Sequence, residues 1–346
     1  MPLRSKITPR YVINNLASAL SIGLVPMLWG SPGIAKSASV QALASKINYE
    51  LLDIRVSQLE PVDLGGIPMI QEGGEIATYV PLDVIPLENT PLPEGKDGWV
   101  IFFDEINHGK PSTVAAMYKV LLDKKVGNAN VHPNVVMIAA GNHVEDRAMV
   151  NIMSTATKSR LCNLYVEPNL NEWLEDVAMK RKYDYRVISY LSQFEKDFYN
   201  FSPEDNQDSF CCPRSWSAVA NLIAENDGHL GREDLPVVGG LLSPDVANKF
   251  ISYFKLLDKM VTYEQIMNDP ERAEVPTDQS LIWASVASLA TKADSKNIET
   301  LKKYLMRIDK SFLVLFLRMV VQTNPEMASN KEVISLIRHV GEYMRS

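Results

Sequence analysis

The stretch "GWVIFFDE", residues 98–105, limits the fold more than any other in this chain. A surface strand alternates apolar and polar residues. A continuous apolar run that ends abruptly in two carboxylates reads instead as a central parallel strand, buried on both faces. Four more apolar runs share that character: "LVPMLW", "YELLDIRVS", "NVVMIAAGN" and "RLCNLYVE". Helical patterns separate them, namely residues 11–22, "KSASVQALASKI", "PSTVAAMYKVLLDKKV" with Pro111 in its first turn, and "VNIMSTATKS". Strands alternating with helices predict an α/β fold, here a doubly wound five-stranded parallel sheet over about residues 10–167.

After Pro168 the pattern changes. "LNEWLEDVAMKRK", "DYRVISYLSQFEKDFYNF", "PRSWSAVANLIAEN", "SPDVANKFISYFKLLDKM", "SLIWASVASLATKA", "NIETLKKYLMRI" and "KSFLVLFLRMVVQT" all read as helices. The expected organisation is an α/β domain over 1–167, a helical domain over 168–262 and a C-terminal helical extension over 263–346. Between the second and third strands, residues 58–96 are rich in Pro and Gly, which predicts a functional loop region holding a short hairpin.

Composition narrows the function classes. The net charge of −7 argues against non-specific nucleic-acid binding, which runs on clustered Lys and Arg. The apolar fraction of 46% and charged fraction of 22% are those of a globular protein. No run approaches the roughly 18 apolar residues of a membrane span, and "MPLRSKITPRYVINN" lacks the apolar core of a signal peptide. The cysteines are Cys162, Cys211 and Cys212, and the adjacent pair cannot form an ordinary disulfide. The expectation is a cytosolic protein with structural thiols.

Between the first strand and its helix lies "WGSPGIAKS". The pattern of a phosphate-binding loop is G-x-x-x-x-G-K-[ST], and Ala35 stands where the second glycine belongs. In such a loop Gly30, Ser31, Pro32, Gly33, Ile34 and Ala35 would wrap the phosphates, all but Pro32 through a backbone N–H, aided by the helix N-terminus. Lys36 would reach the β- and γ-phosphates of ATP, and the Ser37 hydroxyl would ligate Mg²⁺. If residue 35 has helical dihedrals, alanine fits there without strain. The bland alternative is a Gly/Pro turn before a helix.

Asp104 and Glu105 end a central strand, where ligands collect in open α/β sheets. Asp104 suits the Mg²⁺ shell, and Glu105 suits general-base activation of water. Asn142, ending the fourth strand, would orient that water without carrying charge. His108, His132, His143 and His229 show no metal-ligand spacing.

These parts in this order resemble the AAA+ ATPase superfamily, and more closely its MoxR-type members. The likeness rests on "WGSPGIAKS", "VDLGGIP", "FFDEINHGKPSTVAAMYKVLLDKKVGN", "AAGNHVEDRA", "STATKSRL" and "CCPRSWSAV", and covers most of residues 10–225. Residues from about 265 onward match less distinctly. The resemblance implies that 168–262 is a helical lid. It implies that Arg160 is an arginine finger acting on a neighbouring subunit, with Arg147 and Lys158 as rivals, and that Arg214 contacts the nucleotide from the lid. The family often has Arg-Phe where this chain has Arg160-Leu161. A homo-oligomeric ring (a hexamer), a protein client and a partner with a von Willebrand factor A domain are implied too. The function expected is that of a chaperone-like remodelling motor. The alternatives are a nucleic-acid motor or helicase loader, and a nucleotide-gated scaffold with weak hydrolysis.

Overall fold

The computed structural model describes residues 5–70, 73–74, 77–142, 158–202, 208–257 and 260–341. The chain divides into two units, one of Met1–Pro168 with Ser202–Asp205, the other of Asn169–Phe201 with Asn206–Ser346.

The first unit runs β1 (Lys6–Ile7), α1 (Pro9–Ser21), β2 (Val25–Trp29), α2 (Lys36–Lys46), β3 (Glu50–Arg55), α3 (Pro61–Gly65), β4 (Ile67–Ile70), β5 (Ala77–Val80), β6 (Trp99–Asp104), α4 (Pro111–Asp123), β7 (Lys125–Val126), β8 (Ala129–Asn130), β9 (Val135–Gly141) and β10 (Leu161–Val166). Its main sheet has the order β1-β10-β2-β9-β6-β3, with every pair parallel. From β2 the chain crosses to the far edge at β3, then steps back through β6 and β9. It reaches β10 on the other side of β2. This reversal puts the carboxyl end of β2 at a switch point, where open α/β sheets bind ligands.

The doubly wound parallel sheet is as expected, with one strand more. Lys6–Ile7 adds a sixth strand beside β10, Lys6 opposite Tyr165. Two residues carry no periodicity from which a strand could be read. On β6, Trp99, Ile101 and Phe103 share one apolar cluster with Val114, Met117, Val120 and Leu121 of α4. Val100 and Phe102 point the other way and are equally buried, and α2 packs along β3 and β6. Fully burying side chains of this size stabilises by about 1.5–3 kcal/mol each.

Between β3 and β6 the expected hairpin is present as β4–β5, with Ile67 opposite Val80, and α3 precedes it. There is a second hairpin, β7–β8, whose first strand falls where the sequence predicts the end of α4. Lys124 adopts the left-handed conformation (φ 52°) and stops the helix at Asp123, and Gly127 (φ 58°) turns the chain back. Most of the expected helix "VNIMSTATKS" lies outside the described residues, as do Arg147 and His143.

Among its described residues the second unit contains helices and no strand. The longer ones are Tyr185–Gln193, Pro213–Glu225, Pro244–Leu256, Gln279–Lys292 and Lys310–Thr323. One hydrophobic cluster runs from Trp173 to Val340, through both segments expected as separate helical domains. Tyr190, Trp216 and Phe250 are fully buried at its centre. Asp197 anchors Tyr190 and Trp216: its carboxylate accepts from the Tyr190 hydroxyl and Lys249, and its carbonyl from the Trp216 indole. Three helices had no clear sequence signal. Leu235–Leu241 holds Pro236, Gly239 and Gly240, all poor helix formers, Tyr263–Asn268 is short, and Lys331–His339 is as long as Tyr185–Gln193. "LNEWLEDVAMKRK" is a helical turn, Leu170–Trp173, running into π-helical Leu174–Met179. Among the described residues no helix is long and apolar enough to cross a membrane.

Candidate functional site

The site is built on the loop between β2 and α2. Trp29 ends β2, and its indole donates to Asn163 Oδ1 of β10 at 2.8 Å. Gly30 follows, its N–H donating to the Gly141 carbonyl of β9 at 3.2 Å. A Cβ on Gly30 would stand 2.9 Å from the Val166 carbonyl and run into Ile34, so only glycine fits. Gly33 has φ 78°, and buried Ile34 pins the loop to the interior.

The structure overturns the expectation of a helical Ala35. It has φ 71° and ψ 25°, left-handed, as the residue before α2. Here the phosphate-loop pattern asks for glycine because a Cβ is strained in that region, by roughly 1–2 kcal/mol. Ala35 is therefore not free of backbone cost. The start of α2 has no side-chain cap and no acidic residue in its first turn. Its leading N–H groups remain suited to an anion.

Lys36 is buried, and its ammonium lies over the loop. It donates to the Gly30 carbonyl, to the Ser31 carbonyl at 3.0 Å and to Asn142 Oδ1 at 3.2 Å. The Ser37 hydroxyl donates to Asp104 Oδ2 at 3.0 Å, while Asp104 Oδ1 accepts from the Glu105 N–H at 2.8 Å. Lys36, Ser37, Asp104 and Asn142 thus converge at the carboxyl ends of β2, β6 and β9. Ser37 and Asp104 together offer the hard oxygen donors that Mg²⁺ takes, so the residues fit that ion.

Glu105 is held in a left-handed conformation (φ 53°, ψ 37°), uncommon for any side chain but glycine. Its carboxylate accepts from the Ser57 hydroxyl at 3.2 Å. On the neighbouring strand, Asp53 carries a carboxyl raised above its ordinary range. Partial burial is the main cause and the Asp104 charge the next, with Arg55 opposing and Glu105 adding.

Two residues of this site were not picked out from sequence. Ser57 follows β3 and meets Glu105. Asn107, just 4% exposed, exchanges hydrogen bonds with the backbone of Asn142. Each is polar in a turn-like stretch, and its role depends on a strand far away in sequence.

Arg160 is exposed just before β10, and Arg214 is exposed in the first turn of Pro213–Glu225 in the second unit. Asn163 ties Lys158 toward β10 through its carbonyl at 2.8 Å. His132 Nδ1 accepts from the Asn134 N–H, with its ring against Trp99. Cys211 and Cys212 are buried, and burial pushes the Cys211 thiol up. Among the described residues no group of three or more His, Cys, Asp or Glu could hold a metal by itself.

A glycine-bearing loop at the switch point of a parallel sheet, closed by Lys-Ser and faced by an Asp, is the arrangement expected of a nucleotide-binding α/β domain. Residues 26–161 match the family model described as AAA domain (dynein-related subfamily). This stretch of the first unit is therefore similar to an AAA domain. No curated protein matches the chain. Among solved structures, a proposed ATPase from Cytophaga hutchinsonii is 14% identical. It covers 95% of this chain and 88% of that one, with a TM-score of 0.36. The RuvB Holliday junction branch migration motor from Thermotoga maritima is 15% identical, covering 86% of each chain at a TM-score of 0.37. Likeness at these levels bears on neither activity nor partners.

Proposed function

We propose that the chain is a Mg²⁺-dependent ATP hydrolase of the AAA+ class, nearest in its motifs to the MoxR type, working as a protein-remodelling motor. The observation that carries this reading is the convergence of Lys36, Ser37, Asp104 and Asn142 on one loop. In this reading the N–H groups of Gly30–Ser37 and the Lys36 ammonium bind the phosphates. Ser37 and Asp104 would hold Mg²⁺, which would supply charge neutralisation at the phosphates. Glu105 takes the proton from the attacking water, and Asn142 orients that water. Arg214 belongs to the nucleotide's own chain, and Arg160 to the site of a neighbouring subunit in a ring, a hexamer by resemblance. The hairpin β4–β5 exposes Met69, Ile70 and Tyr79, which suits contact with a protein client. A partner with a von Willebrand factor A domain and a cytosolic location complete the proposal.

The test is a pair of variants. Lys36→Ala is expected to lose nucleotide binding, read by titration with a fluorescent ATP analogue. Glu105→Gln is expected to keep binding and lose turnover by about 10² or more, the scale of a positioned base. Full affinity in the first, or unchanged kcat in the second, would sink the corresponding role. The left-handed Ala35 favours one further reading, a nucleotide-gated scaffold that binds ATP and barely hydrolyses it. Multiple-turnover phosphate release by the wild-type protein with client present separates the two. Stimulation by DNA in place of protein would point to a nucleic-acid motor.

A further inference from the structure

β6 and β9 run side by side from Trp99 opposite Val135 to Phe103 opposite Ala139. There the ladder stops. β6 ends at Asp104, and the left-handed Glu105 turns the chain into a short 3-10 turn, Ile106–His108. β9 runs on to Gly141 and delivers Asn142. On that side no described strand pairs with Asn142. A free backbone end would let its side chain wander from the Lys36 ammonium.

The side chain of Asn107 occupies the missing place. Its Nδ2 donates to the Asn142 carbonyl at 2.8 Å, and its Oδ1 accepts from the Asn142 N–H at 3.2 Å. A carboxamide has the donor and acceptor of a peptide group, so one side chain stands in for one residue of strand. The pair is sheltered, Asn107 being 4% exposed, so little water competes for these groups. Gly141 makes room for it: a Cβ there would lie 2.9 Å from Asn107 Oδ1. From the other side, the Gly141 carbonyl accepts from the Gly30 N–H. Asn142 is therefore gripped between the phosphate loop and the turn that follows the acidic pair.

We propose that Asn107 is a positioning residue for hydrolysis: its side-chain amide, paired with both backbone groups of Asn142, aims the Asn142 side chain at the γ-phosphate side of the loop. This rests on the reading of Asn142 as the water-orienting residue. Asn107 itself touches no substrate in this account. Its effect belongs in kcat and not in nucleotide affinity.

The experiment measures kcat and nucleotide affinity for Asn107→Leu, Asn142→Ala and the double variant, with folding checked by thermal melting. Asn107→Leu keeps the branched shape with the same number of heavy atoms and removes both bonds. Its kcat should fall by roughly 10- to 100-fold, the range in which small misplacements of reacting groups slow a reaction, with affinity unchanged. The double variant should be no slower than Asn142→Ala alone, because one residue acts through the other. A purely structural Asn107 would add its own loss, and that additivity overturns the proposal. So does full activity in Asn107→Leu while Asn142→Ala is slow. Full activity in Asn142→Ala overturns the role of Asn142 and this inference with it, a result distinct from the other two. Should Asn107→Leu fail to fold, Gly141→Ala keeps the Asn107 carboxamide and crowds its Oδ1, together with Ile106 Cγ2 and Met27 Cε at 3.0 Å each, and must show the same loss of kcat at unchanged affinity. In the wild-type protein the Asn142 amide should exchange slowly with solvent deuterium. Exchange at the rate of an open loop overturns the pairing.

Discussion

Ala35 carries a Cβ where the backbone conformation favours glycine. The loop was legible because Gly30, Lys36 and Ser37 are spaced as a phosphate loop needs. The dihedrals of residue 35 were not, since alanine suits a helix and the next residue begins one. The structure puts it at φ 71°, so a glycine there removes the Cβ penalty. Ala35→Gly is expected to stabilise the fold by about 1 kcal/mol, the usual size of a methyl's cost at positive φ, and to leave nucleotide affinity equal or higher. Denaturant unfolding with and without ATP reads both quantities. A destabilised glycine variant would mean that the loop does not rest in this conformation. Asn107 and Ser57 were hidden for another reason. Each acts on a partner from a different strand, and no local pattern carries that information.

At the scale of elements, the strands buried on both faces stood out because nothing polar interrupts "VIFF" or "VVMIAA". The two-residue β1 and the hairpin β7–β8 did not, being shorter than any period. The hairpins depend on glycines in ways that can be tested. Gly66 has φ 85°, and a Cβ on it would sit 2.6 Å from the Val80 carbonyl, the residue facing Ile67 across β4–β5. Gly127 of the second hairpin turn would carry its Cβ 2.9 Å from the Gly65 carbonyl and 3.3 Å from Tyr79 Cβ, so the two hairpins touch. Gly66→Ala should therefore cost more than about 1 kcal/mol locally and open β4–β5 to proteolysis. ATP binding should persist, since the loop Gly30–Ser37 lies outside the hairpin. Limited proteolysis and nucleotide titration on the same sample distinguish this from general unfolding. Loss of both together would refute the separation.

For the whole molecule, the decisive question is whether one chain is a complete enzyme. In the proposed ring Arg160 serves a neighbour. Arg160→Ala subunits should bind ATP and hydrolyse it slowly, and Glu105→Gln subunits should do likewise for a different reason. Each Arg160→Ala subunit keeps its own base and can borrow an arginine from an adjacent Glu105→Gln subunit. Mixtures should then regain part of the activity that neither parent has, and lose it on dilution, as mass action requires of an assembly. Verified mixed assemblies with no recovery would remove Arg160 from this role and leave Lys158 and Arg147 to try.

The left-handed Glu105 sets durability against turnover at one position. Its backbone conformation costs about 1 kcal/mol or more for any residue bearing a Cβ. Glycine would relieve that cost and delete the carboxylate in the same step. Glu105→Gly should therefore melt at a higher temperature than the wild type while losing its turnover, whereas Glu105→Gln should lose turnover with no such gain. A screen that rewards thermal survival alone would collect glycine at 105, and each such clone would be a sturdier protein with its proposed base removed.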